Sequence, residues 1–447
     1  MLSAEAVWKT LLGRDNSVFP TCVHTIFART SSPPMAPTSI PPDDVPGFLR
    51  DLAATATAIG FSRHGVASLD PDRRDPRPHE RFRQWLAEGR AGPMADWLSR
   101  HEPFRRDPRV LLPGARSVIM LATDHASGSF QTDEPCPPGR GRVARYAWGD
   151  DYHDMLRKRV NQLGNWLESR LPGCRSRGFC DSVPFPEREY AWLAGLGWFG
   201  KNTMLIDPGA GSYFLLTVLL TDALLPTSEP VLVDHCGSCT ACLDACPTQA
   251  FIEPRLLDAT RCISSLTIEQ KGPVDTGLRA AIGDRAFGCD ICQEVCPWNR
   301  RAPGSTESGF QPRAGEATLP LADVLNLGEE DFRTRFRGTP LLRAKRSGLL
   351  RSAAIVLGNH PDPASSGGLI AALDDPDAGI RSAAAWALGE WRRAPEPLAS
   401  RARTALAARF DVEPDAAVRE ELAAAIYSHS AVSSTSAEAS RPGPSIL

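Results

Sequence analysis

From Pro46 onward, in "DDVPGFLRDLAATATAIGF", apolar residues recur at helical spacing, so a folded domain is expected to begin there. Two apolar runs bounded by Gly or Pro, "RSVIMLAT" (Arg116 to Thr123) and "SYFLLTVLLTD" (Ser212 to Asp222), predict buried strands. "YHDMLRKRVNQLGNWLESRL" (Tyr152 to Leu171) alternates as an amphipathic helix, with Asp151 placed to cap it. Strands mixed with helices make an α+β chain whose N-terminal unit, an α/β domain, runs to about residue 230.

The last third is Ala-rich and helical. "LLRSAAIVLGNH" (Leu349 to His360) is echoed by "GIRSAAAWALGEW" (Gly379 to Trp391), with Arg351 and Arg381 thirty residues apart, and more weakly by "AAVREELAAAI" (Ala416 to Ile426). Helices repeating at such a period predict HEAT-like units, which stack because one repeat cannot bury its own apolar face. The expected division is 1–45 linker or disorder, 46–230 first domain, 231–305 cysteine-rich domain, 306–428 helical repeats and 429–447 disordered tail. "TSSPPMAPTSIPP" marks the first of these, and Met35 within it is an alternative start to Met1.

Composition narrows the function classes. The 447 residues are 42% hydrophobic and 23% charged, ordinary for a soluble globular protein, and no apolar run is long enough to span a bilayer. A formal net charge of -3 supplies no global attraction to nucleic acid, so any such contact must be local. Without a signal-peptide layout, the chain reads as cytoplasmic. Twelve cysteines in such a chain point to metal or redox chemistry rather than disulfides.

"CGSCTACLDACP" places Cys236, Cys239, Cys242 and Cys246 in the bacterial ferredoxin run C-x2-C-x2-C-x3-C-P. Three thiolates hold one cubane and the fourth, before Pro, crosses to a second. "CDICQEVCP" supplies Cys289 and Cys292, with Cys296 crossing back, and "RCISSL" offers Cys262 as the missing ligand. Two [4Fe–4S] sites result: Cys236, Cys239, Cys242 and Cys296 for the first, Cys246, Cys262, Cys289 and Cys292 for the second. Structural zinc favours separated C-x2-C pairs over this unbroken run. Cys22, Cys136, Cys174 and Cys180 remain without a role. Two clusters relay single electrons, so a low-potential acceptor must lie nearby. No Rossmann or Walker glycine motif is present, which argues against a nucleotide cofactor in a standard site.

"ARYAWGDDYHDMLR" (Ala144 to Arg157), "DSVPFPEREYAWLAGLGWFGKNTMLI" (Asp181 to Ile206), "RCISSLTIE" (Arg261 to Glu269) and "FGCDICQEVCPWN" (Phe287 to Asn299) resemble the signature segments of the epoxyqueuosine reductases, over roughly residues 47 to 430. The resemblance implies a monomeric, cobalamin-dependent enzyme acting on tRNA in the last step of queuosine synthesis. Its reaction removes an epoxide oxygen reductively, with electrons from an external low-potential donor. Asp181 matches the family's proton donor, with Asp151, Tyr152 and His153 as helpers or rivals. An acid buried beside an apolar corrin face would have its pKa raised toward neutrality. Arg105, Ala144, Asp181, Leu205 and Leu216 are implied along the corrinoid pocket, with the loop Gly200 to Thr203 nearby. "DYHDML" carries D-x-H but Leu156 where the histidine-ligand box has Gly, so cobalt is expected without a protein histidine.

"RTRFRGTPLLRAKRSGLLR" (Arg333 to Arg351) holds seven basic residues and no acid. Beside an RNA-modifying resemblance it predicts phosphate contacts by Arg343, Lys345 and Arg346. The second proline of "PFPERE" and the bulky "YAW" depart from the family pattern. Two other readings compete: a dehalogenase-like reductase of small substrates, and a non-enzymatic electron carrier on a helical scaffold.

Overall fold

The computed structural model describes residues 39–73, 75–127, 135–313 and 317–427. Cys22, most of the expected N-terminal linker and the expected tail lie outside them. Helix α1 (Val45–Ile59) starts where the periodicity places it, buries Phe48, Leu52 and Ala56, and ends on Gly60 in the left-handed conformation. Beside it stands a four-stranded sheet of β1 (Arg63–Ser68), β2 (Ser117–Asp124), β3 (Ser176–Phe179) and β4 (Phe214–Thr221), in the order β1-β2-β4-β3. The two foreseen strands are its centre, paired from Ser117↔Thr221 to Asp124↔Phe214. All three pairings are antiparallel, which makes the domain α+β.

Helix α2 (Tyr152–Arg170) covers one face, capped by the Asp151 side chain, which accepts from the His153 N–H. The short α3 (Glu187–Leu193) covers the other. Successive β4 residues therefore bury alternately: Leu219 packs with the α1 and α2 side, Val218 and Leu220 with the α3 side. The edge strands β1 and β3, "RHGVAS" and "SRGF", are short and carry too few apolar residues to stand out in sequence.

The expected sequential domains are stitched together. The strand Arg140–Val143 pairs in parallel with Arg285–Phe287 from the cysteine-rich region and antiparallel with Thr318–Pro320 beyond it. Its Val143 shares one core with Ile263, Phe287, Phe336, Leu357 and Leu422, so no independent cores meet at 306, while the first domain keeps two cores of its own.

The repeats are the helices α4 (Lys345–Asn359), α5 (Ala378–Trp391), α6 (Leu398–Phe410) and α7 (Ala416–Tyr427). The echoed arginines do comparable work. Buried Arg351 donates to the carbonyls of Gly272 (2.9 Å) and Leu266 (3.2 Å) in the cysteine-rich region. Arg381 donates to Glu413 at 3.0 and 2.8 Å and to the Asp375 carbonyl. Glu413 has no exposed surface. Burial alone would raise its pKa, but Arg381, the Asp415 N–H and Arg409 outweigh it and hold it at about 2.

Removing one partner leaves a buried charge, so Glu413→Gln is expected to cost about 3–5 kcal/mol, read as a lowered Tm. The Glu413 contribution to stability is complete above its ordinary value of 4.5 and disappears as pH falls toward about 2. Acid titration of the melting temperature in wild type and variant checks the sign.

Candidate active site and metal centres

Both cysteine motifs end in the same local structure. In each, a single helical turn, Ala241–Asp244 or Ile291–Glu294, follows the leading thiols and leads into a Cys-Pro pair. Gly237, at φ +49, lets the first loop turn back, with the Cys239 N–H donating to the Cys236 carbonyl. Cys236, Cys239, Cys242 and Cys296 line one small cavity with Pro297 and Trp298. Burial pushes Cys242 up to about 11, and Cys296, Cys236 and Cys239 add to it. In the second group burial pushes Cys289 up to about 12 with Cys262 adding, and Cys262 in turn feels Cys246. Cys292 is raised by burial first and then by Cys289, Cys262 and, from the first group, Cys242. The sites are thus electrostatic neighbours.

This donor set fits two clusters. Soft sulfur ligands suit iron–sulfur centres, and thiols made harder to ionise by burial need bound cations to hold them as thiolates. Among the described residues no three His, Cys, Asp or Glu converge on one ion position, and a cubane, with one thiolate per iron, does not ask them to. Cys246 also accepts from the Ala250 N–H at 3.3 Å.

The loop Gly200 to Thr203 ties the two motifs together. Lys201 donates to the carbonyls of Gly237 (2.6 Å) and Cys239 (2.9 Å), and Asn202 to that of Cys292 (3.2 Å). The two-residue strand that follows is two-faced. Ile206 lines the cysteine cavity, whereas Leu205 packs into the α3-side core with Phe104 and Phe185. Leu216 and Arg105 come to that same side, Leu216 packed on its core and Arg105 donating to the Phe185 carbonyl at 3.3 Å. Three of the pocket residues implied by the family resemblance therefore share an apolar wall one residue away from the cluster cavity. Ala144 lies apart from them, its N–H donating to the Phe287 carbonyl at 2.8 Å. There it faces Gly288 (φ +69), where an added Cβ would meet the Ala144 Cβ at 2.5 Å.

Asp181 stands at the end of β3 with φ +45, a left-handed backbone that a non-glycine residue rarely adopts. Its Oδ2 accepts from the Tyr152 hydroxyl at 2.8 Å and lies 3.8 Å from His153 Nε2, while Asp151 Oδ1 faces His153 Nδ1 at 2.7 Å. All three candidate carboxylate and hydroxyl groups thus meet at the N-terminus of α2, and His153 joins them. Burial alone would lower His153, but Asp151 and then Asp181 outweigh it and raise its pKa. Burial first and Asp181 second push Tyr152 upward, keeping it a donor.

The protein's own side chains leave Asp181 65% exposed, on a left-handed residue just past β3. The carboxyl raised by burial is Glu187, pushed up to about 8 with the Asp181 charge adding to the effect. Sequence reading left Glu187 without a role, since its proximity to Asp181 comes from a turn between β3 and α3.

The basic stretch divides. Arg343 pairs with both oxygens of Glu269 at 3.0 Å and feels the Asp181 charge. Arg346 donates to Asp375 and to the Leu327 carbonyl, which ties it into the repeats. Lys345 is exposed, opening α4 at φ +59.

Comparison with known proteins agrees with this layout. Family models match for the epoxyqueuosine reductase QueG (DUF1730) over residues 105–182, a 4Fe-4S double cluster binding domain over 235–299, and HEAT repeats over 339–426. The epoxyqueuosine reductase of Pseudomonas aeruginosa is 40% identical over 329 residues, 73% of this chain and 90% of the relative. That of Escherichia coli K12 is 38% identical over 322 residues, 72% and 83% respectively. A crystal structure of an epoxyqueuosine reductase with an epoxyqueuosine-modified tRNA-Tyr stem loop superposes at a TM-score of 0.76, 29% identical, covering 86% of this chain and 98% of that one. The Bacillus subtilis enzyme, with its catalytic aspartate loop swung out of the active site, gives 0.76 at 30% identity, covering 86% and 99%. Fold and thiol arrangement define an iron–sulfur oxidoreductase that joins a two-cluster relay to a helical-repeat body. Within that class, the chain belongs to the epoxyqueuosine reductase family.

If the ligand partition is right, Cys262→Ala leaves the first cluster intact and the second with at most three irons after anaerobic reconstitution. Iron and sulfide content together with low-temperature EPR read this. Cys136→Ala should retain both clusters in full.

Proposed function

We propose that this chain reduces epoxyqueuosine to queuosine at the wobble position of tRNA, the epoxide plus two electrons and two protons giving the alkene and water. The observation that carries the reading is the exposed Asp181 carboxyl, held by Tyr152 and His153 beside an apolar wall that backs onto the cluster cavity. When bound, the clusters would supply single electrons, and cobalamin, which Leu205, Leu216 and, further off, Ala144 would help to hold, would supply low-potential cobalt. The chain's residues do the rest. Asp181 delivers the proton that makes the departing oxygen a tolerable leaving group. Tyr152 aims it, and Asp151 orients the His153 ring through Nδ1. Both His153 nitrogens face carboxylates, which would leave neither free for cobalt.

An anticodon loop base can reach such a site once unstacked. The exposed Lys345 and the nearby Arg343 would contact its phosphates. A single chain working in the cytoplasm with an external low-potential donor completes the proposal. Among the described residues no helix is long and apolar enough to cross a membrane.

The test incubates reconstituted protein with epoxyqueuosine-containing tRNA, reductant and cobalamin, then weighs the digested nucleosides. Loss of one oxygen only with cobalamin supports the reading. No conversion with clusters and corrinoid in place shifts it to a small-substrate reductase. Asp181→Asn is expected to lower the single-turnover rate about 10²–10⁴-fold with tRNA affinity retained. Lys345→Ala should weaken tRNA binding and reduce the slope of log K against log salt by about 1.

A further inference from the structure

We propose that Glu187 is a positioning residue for Asp181, the two acting as one carboxyl pair in which Glu187 holds the backbone of its partner and keeps a proton in the site. This rests on the reading of Asp181 as the proton donor. The geometry begins with the Asp181 N–H, which donates to Glu187 Oε1 at 3.0 Å. That bond closes the turn Asp181 to Glu187, whose interior is anchored by buried Phe185 and Pro186 and by the Phe185 N–H to Val183 carbonyl bond at 2.8 Å. A left-handed aspartate is strained, so it persists only where surrounding bonds hold it. Here those bonds are Glu187 on the main chain and Tyr152 on the carboxylate. Without the first, the backbone relaxes and the carboxyl loses its aim.

The electrostatics add a second role. Glu187 lies partly buried among Asp181, Arg105 and Arg188, with Cys180 beside it. Burial first, and then the Asp181 charge, push it up to about 8, more than the two arginines lower it. Glu187 therefore keeps its proton through neutral pH, next to the Asp181 main chain that it holds. Each turnover needs an acid at that site. Glu187 thus stays loaded in the pH range where a solitary exposed carboxyl would be stripped.

The test compares single-turnover rates of wild type, Glu187→Ala and Glu187→Gln from pH 6 to 9.5, with tRNA affinity, cluster content and Tm measured alongside. Alanine removes the acceptor and is expected to cut the rate about 10- to 100-fold with tRNA affinity unchanged. Glutamine keeps an oxygen for the Asp181 N–H, so it restores most of the maximal rate. Its alkaline downturn moves to lower pH than the wild type, because the site has lost the carboxyl that keeps its proton at neutral pH. An alanine variant with wild-type rate and profile overturns the proposal. So does a rate loss that tracks lost clusters or Tm and is not restored by glutamine. If Asp181→Asn itself stays active, the proton-donor reading fails instead. If Asp181→Asn is inactive while both Glu187 variants behave as wild type, only this inference fails.

Discussion

The strand Arg140–Val143 is the constraint on which the molecule depends. Its buried backbone groups must be satisfied, and their partners come from two distant stretches of chain. Arg285–Phe287 and Thr318–Pro320 flank it, and the Arg142 N–H reaches the Asp284 carbonyl at 2.7 Å. The residues that follow continue the pattern. The Ala144 N–H goes to Phe287, and the Arg145 N–H goes to Asp290 Oδ2 at 2.7 Å, immediately after Cys289. A few residues on, Tyr146 packs edge-on to Tyr152, whose hydroxyl holds Asp181. One continuous segment therefore sets Cys289, the helical body and Asp181 relative to one another.

Such stitching gives the cysteine-rich region and the repeats one core and ties the first domain to them by backbone pairing. Electron delivery and proton delivery have to converge on one small ring, and small misplacements are costly. A rigid frame built from backbone pairing serves that need better than hinged domains. The two-faced Leu205–Ile206 strand does the same on the other side, with the cysteine cavity behind Ile206 and the apolar wall at Leu205. Buried guanidinium groups finish the assembly, since each offers several donors to carbonyls that would otherwise go unpaired. Arg351 ties the repeats to the cysteine-rich region in this way.

Charge is distributed by the same logic. Where the fold needs rigidity, carboxylates are enclosed and fully paired, as Glu413 is by Arg381 and Arg409. Where chemistry is needed, Asp181 is left open and strained, and the neighbouring Glu187 is buried only in part. Local rules are broken at the site and obeyed in the scaffold.

Much of this was legible in the chain itself. The ferredoxin spacing dictates sulfur ligands in two crossed sets, because Cys-x2-Cys loops and a Cys-Pro exit can wrap only in a few ways. Long apolar runs marked β2 and β4, the helical period marked α1 and α2, and the thirty-residue echo marked the repeats. Asp151 as a cap followed from its place before α2. Tertiary structure alone decided the rest. Short edge strands such as β3 gain their stability from β4, not from their own residues. Arg346 and Lys345 look alike in sequence, but only the former has Asp375 within reach. The clasp of Glu187 on Asp181 depends on a left-handed turn, and the strand that joins all three regions pairs with segments more than a hundred residues away. Periodicity and spacing record what a segment does with its neighbours in the chain, and they carry no trace of which distant surface will satisfy its buried groups.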